Sequence, residues 1–202
     1  MTEKESKSRA TQDAILDAAI DLFIESGFET TPMDAIAEKA GVAKGTLYYH
    51  FKSKEGIVDA VVERFVLEAE AAFEAIVSGP ADALSKLKAL VAKETELDAQ
   101  SFSRLHRMRN IDIVLRTQQA RVMRFSPFYA RVIEEGNAAG IWKAAYPLEF
   151  SQITIAASGY VYDPQFSASL GGKIQEAMIE LMARGLGIKA ETLAWAYTSL
   201  RH

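Results

Sequence analysis

The sequence predicts an all-α protein, and three observations carry that prediction. Apolar residues recur at helical spacing along most of the 202-residue chain. Sustained apolar/polar alternation and tight hairpin signals such as Asn-Gly are missing. Glycines and prolines sit between the periodic stretches, where helices stop and start. Eight to ten helices are expected. The composition, 49 % apolar and 25 % charged with no cysteine, excludes global disorder, a disulfide frame, a thiolate nucleophile and a cysteine-ligated metal. The opening MTEKESKSR lacks a secretory core, and the weakly polar run from Ile153 to Tyr162 falls far short of the roughly 20 residues that cross a bilayer. A cytoplasmic protein without a membrane partner is expected. The net charge of −4 argues against a generally basic nucleic-acid binder.

The elements follow in order. Ile15, Leu16, Ala19, Ile20, Leu22 and Phe23 form a stripe that makes Arg9–Glu25 a helix, stopped at Gly27. Thr31 is placed to cap the next helix, Pro32 suits its first turn and Asp34 its positive end. That helix, Met33–Ala40, buries Ile36, Ala37 and Ala40. Gly41 permits a left-handed reversal, Val42 plugs the corner, and a second short helix begins near Lys44 with Leu47 and Phe51 inward. From Ser53 to Val77 a stripe runs Ile57, Val61, Phe65, Ala69, Ala72, Ile76 and ends at Ser78-Gly79-Pro80. Further helices are expected at Ala81–Asp98, Phe102–Thr117, Ala120–Asn137, Leu148–Tyr162 and Lys173–Gly185, with a short one after Ile188. Pro32, Pro80 and Pro147 mark helix starts, whereas Pro127 predicts a break or kink near Ser126.

The two short helices joined at Gly41 fit a helix-turn-helix. Lys44, Thr46, Tyr48, Tyr49 and His50 crowd the outward face of the second one. Between Lys39 and Lys54 there are four lysines and no acid, a local charge of +4. Each of these residues alone fits a solvated turn between core helices. Together they suit a helix laid in a major groove, where side chains touch phosphates and base edges.

The run GVAKGTLYYHFKSKEGI, preceded by DAAIDLFIESGFETTPMDAIAEKAG, resembles the signature of the tetracycline-repressor (TetR) family of bacterial regulators, over about residues 10–64. The resemblance implies a three-helix DNA-binding domain at 1–52 and a larger helical ligand-binding and dimerisation domain at 53–202. It implies a homodimer on a palindromic double-stranded DNA operator, released by a small-molecule effector, with no enzymatic activity and no cofactor. An activator or adaptor working through protein partners is the alternative. Carried onto matching positions, the DNA contacts are Thr31, Lys44, Gly45, Thr46, Tyr48, Tyr49, His50 and Lys54. Two departures stand out. Ala43 replaces a capping Ser or Thr, and Gly56 replaces a better helix former, each a loss of about 1 kcal/mol.

The rest of the chain shows no HxxxH, GxSxG or phosphate loop. Residues 104–131 hold seven arginines (104, 107, 109, 116, 121, 124, 131) against Asp112, a net +6. They fit solvated helix faces, the rim of an anion-attracting cavity, or an extension of the DNA-facing field. Asp112 lies one turn from Arg109 and Arg116 and is placed to pair with them. Expected effector-lining residues are Phe65, Arg107, Met108, Ile111, Phe125 and Trp142. Small and apolar stripes make Ile153, Ala157, Tyr160, Ile174, Met178 and Leu181 the expected dimer face, although the same stripes could close the monomer core.

Overall fold

The computed structural model describes residues 3–97, 107–108, 110–161 and 173–195. Among these are eight α-helices and no strand: α1 Glu3–Ser26, α2 Met33–Lys39, α3 Lys44–His50, α4 Lys54–Val77, α5 Ala83–Leu97, α6 Ile111–Ala138, α7 Pro147–Val161 and α8 Lys173–Leu186. A 3-10 turn, Ala190–Leu193, follows α8 and packs on it, in the tail where a short helix was expected. Arg104, His106, Arg109 and His202 lie outside the described residues. No helix is long and apolar enough to cross a membrane among the described residues.

The chain forms two compact units, Met1–Phe65 with Gln100–Thr117, and Val66–Ala99 with Gln118–His202. Helices α4 and α6 each contribute residues to both. In the first unit Ile15, Ile20, Ile36, Leu47 and Ile57 are fully buried, so α1 to α4 share one apolar core. Ser53 caps α4 by accepting the Gly56 N–H at 3.2 Å. Arg64 ties α4 to α1 through Asp17 at 2.8 Å and Asp13 at 3.7 Å.

In the second unit the buried line of α4 runs through Ala69, Phe73 and Val77 rather than through Ala72 and Ile76. Phe73 is its hub, meeting the rings of Phe125, Phe128 and Tyr129 edge-on at 4.9, 5.7 and 6.1 Å. One helix, α6, runs through 117–120, where a break between two helices was expected; residues 102–106 of the first expected helix lie outside the described residues. It starts at Ile111 because the Asn110 side chain accepts the N–H groups of Asp112 and Ile113. Pro127 does not break it. The anchors of Phe125 and Tyr129 on either side outweigh the one hydrogen bond that proline removes.

The end of α6 carries a tight fit. Gly140 takes a left-handed φ of +71°, and Trp142 folds back so that its indole N–H donates to the Ile133 carbonyl at 2.6 Å. A Cβ on Gly136 would collide with that indole. Gly136→Ala, which in an open helix would stabilise by up to about 1 kcal/mol, is therefore expected to destabilise by about 1–3 kcal/mol. A thermal melt decides the sign, and a raised Tm would contradict this packing.

The arginines of α6 form ion pairs rather than an open basic surface. Arg116 pairs with Asp59 in the first unit, and not with Asp112 as expected. In the second, Arg124 makes two bonds of 2.6 Å to Glu70, and Arg131 bonds both oxygens of Glu74 at 2.6 and 3.1 Å. The Arg131 guanidinium and then the Ser78 hydroxyl hold the Glu74 carboxyl down at about 2 from its ordinary 4.5. A depressed carboxyl stabilises the fold fully above its unfolded value and loses that contribution as pH falls through the folded one. The Tm gap between wild type and Glu74→Gln should thus close between about pH 4.5 and pH 2. The gap is expected to be small, because the pair is solvated.

Candidate nucleic-acid interface

The reading helix is fixed from beneath. After α2, the Gly41 and Val42 N–H groups donate to the Glu38 and Ala37 carbonyls at 3.1 and 3.0 Å, and Gly41 adopts a φ of +68°. This reversal aims α3 across α2. Leu47 is fully buried and Phe51 nearly so, which locks one face of α3 into the core. At about 100° per residue, Gly45 and Tyr49 then stand opposite Leu47. Tyr49 is 78 % exposed and Tyr48 43 %. Lys44 and Gly45 are exposed, Thr46 and His50 half-buried. The Tyr49 and His50 rings meet edge-on at 5.1 Å. No side chain caps α3, as Ala43 foretells.

Two of the expected contact residues also bond within the fold. Thr31 does not cap α2: Pro32 holds that position. Its side chain is buried, and its hydroxyl donates to the Gly27 carbonyl at 2.7 Å, closing the end of α1. The Lys54 ammonium donates to the Phe28 and Glu29 carbonyls at 2.6 and 2.9 Å and sits 4.7 Å from the Phe28 ring centre. It staples the α1–α2 connection. The other lysines of the basic window are engaged too: Lys39 with Glu25 at 3.0 Å, Lys44 with Asp34 at 2.6 Å, and Lys52 with the Tyr48 carbonyl at 2.7 Å. The counter-charges come from α1 and α2, outside the window in which the +4 was counted.

The expected effector residues divide between the units. Phe65 and Met108 are buried in the first, Phe125 and Trp142 in the second. Ile111 and Arg107 are exposed, so neither lines an interior in the single chain. Instead, α6 presents a polar interior that sequence reading missed. Arg121 bonds Glu94 at 2.8 Å, and the Tyr129 hydroxyl donates to the other Glu94 oxygen at 2.5 Å. The Ser126 hydroxyl and the Gln118 side-chain oxygen are buried without a hydrogen-bond partner. On the expected dimer face Ile153 and Leu181 are 69 % and 64 % exposed. Ala157 and Ile174 are half-buried, and the Tyr160 side chain lies outside what is described. Met178 is buried within the single chain, on a helix that packs against α7 and the 3-10 turn.

A short helix held by its buried face, with tyrosines and a lysine on the other, defines a helix-turn-helix protein. The family described as "Bacterial regulatory proteins, tetR family" matches residues 15–61, and "Tetracyclin repressor-like, C-terminal domain" matches residues 101–169. Together they take in more than half of the chain, and the protein belongs to the TetR family of DNA-binding transcriptional regulators, which are not enzymes. The HTH-type transcriptional repressor KstR2 of Rhodococcus jostii is 38 % identical over 82 residues, which cover 41 % of this chain and 40 % of that relative. The match thus reaches less than two thirds of the relative's length. The fatty acid degradation regulator FadR from Bacillus halodurans superimposes with a TM-score of 0.65 at 20 % identity, over 88 % of this chain and 95 % of its own. The regulator FadR from Bacillus subtilis, in complex with stearoyl-CoA, superimposes with a TM-score of 0.60 at 23 % identity, over 85 % and 97 %. At such identities the likeness speaks for the fold.

Proposed function

We infer that the protein is a homodimeric repressor that occupies a palindromic operator through two copies of α3 and is released by a small effector. The observation that carries this reading is the exposed Tyr48 and Tyr49 on a helix whose opposite face is locked in the core. One short helix reads too few bases for useful specificity, so two copies at one helical turn of DNA are needed. Lys44, Gly45, Thr46 and His50 are assigned to backbone and flanking contacts. Thr31 and Lys54 retain their backbone groups near the site, while their side chains serve the fold. The effector is assigned to the second unit. The partnerless Ser126 hydroxyl and Gln118 oxygen there suit a mainly apolar molecule with a hydrogen-bonding group for each. Because α4 starts next to the reading helix and ends in the second unit, it is the assigned lever between effector and DNA. Such a regulator works in the cytoplasm.

Titrating labelled duplexes with variants tests the site. Lys44→Ala should weaken every sequence alike, whereas Tyr49→Ala should lose about 1–3 kcal/mol at the preferred site and little elsewhere. Two variants that bind all duplexes as wild type does would remove α3 from the interface.

A further inference from the structure

We propose that Asp34 is a built-in competitor for DNA phosphate, holding the Lys44 ammonium on the free protein and so restraining its affinity for non-operator DNA. The proposal rests on α3 being the reading helix. Lys44 opens α3, Asp34 lies in the first turn of α2, and their side chains meet at 2.6 Å. Both side chains are more than half exposed, so the pair faces the solvent that α3 faces. A carboxylate oxygen at that distance from the ammonium takes the place a phosphate oxygen would take, and its charge repels a phosphate that approaches. Lys39 is compensated in the same way by Glu25. Lys52 and Lys54 differ, because their ammonium groups bond neutral carbonyls. Two of the four lysines of the basic window thus face carboxylates brought in by the fold. Every complex that places a phosphate at Lys44 bears this loss, and binding without base readout, being almost entirely phosphate neutralisation, has no base contacts to offset it. Tyr48 and Tyr49 supply base contacts that do not draw on Lys44.

The test compares Asp34→Asn with wild type on a non-operator duplex over a range of salt, with Glu134→Gln as a control that removes one exposed charge from the second unit. Asparagine keeps a polar side chain at the start of α2, and circular dichroism checks the fold. Asp34→Asn should tighten non-operator binding on the order of tenfold at about 50 mM salt and steepen the salt slope by about 0.9. Adding Lys44→Ala should remove most of the gain. An unchanged affinity and slope would overturn the proposal, and so would an equal gain from Glu134→Gln. If wild type binds no sequence selected from random DNA, the assignment of α3 falls and takes this proposal with it.

Discussion

Ile153→Asp or Leu181→Asp should turn the protein into a monomer and lower its affinity for a palindromic operator by about a thousandfold or more, the gap that separates specific from non-specific binding. The two side chains project from α7 and α8, which pack on each other within the second unit. Both are large, apolar and mostly exposed in the single chain, and Leu148, Ala156 and Ala177 are also exposed on the same two helices. Two helices from each copy would bury this surface in a four-helix interface, with the alanines permitting close approach. An aspartate there would carry an unpaired charge into the contact, while in the lone chain it would sit in water. The folded monomer should therefore survive, and its melting temperature reports on that separately. Light scattering gives the mass and titration the operator affinity. A variant that stays dimeric would move the interface to another surface.

Arg121→Met should destabilise the protein by about 3–5 kcal/mol, the loss expected when one partner of a buried ion pair is removed. The Arg121 and Glu94 side chains are 5 % and 12 % exposed, and their contact is 2.8 Å. Without the guanidinium, the Glu94 carboxylate keeps the Tyr129 hydroxyl at 2.5 Å but loses its facing charge while remaining largely shielded from water, which penalises its ionised form. In a chain of this size the loss corresponds to a fall in Tm on the order of 10 °C. Replacing both partners, Arg121→Met with Glu94→Leu, should restore most of it, because no charge is then left buried. A single variant no less stable than wild type would mean that the pair is solvated, and a double variant as unstable as the single one would mean that the pair itself, rather than the orphaned charge, sustains the unit.

The helix-turn-helix was legible because its determinants are local. Gly41, Leu47 and Phe51 lie within eleven residues and set the reversal and the buried face by themselves. Interactions over long stretches of chain were not legible. Ala72 and Phe73, or Ile76 and Val77, satisfy helical spacing equally, and only the aromatic rings of α6 select Phe73. The arginine-rich segment left solvated faces, a cavity rim and a DNA-facing field open because Glu70, Glu74 and Glu94, the partners of Arg124, Arg131 and Arg121, are remote in sequence. Asp112, the near acid, was the wrong partner for Arg116, which crosses 57 residues to Asp59. Thr31 and Lys54 fit the motif by position, yet their polar groups are taken by carbonyls at the end of α1 and just after it. Asn110 was a missed start signal, since its capping role shows only when α6 is seen to begin behind it.

The central claim is that α3 reads a two-fold symmetric DNA sequence. Selecting bound duplexes from a random pool with the purified full chain tests it most directly. The account predicts an enriched palindrome with half-sites about 10 base pairs apart, or a multiple of that, and its loss when the selection is repeated with Tyr48→Ala and Tyr49→Ala combined. Absence of enrichment with wild type, or the same consensus with the double variant, would contradict it.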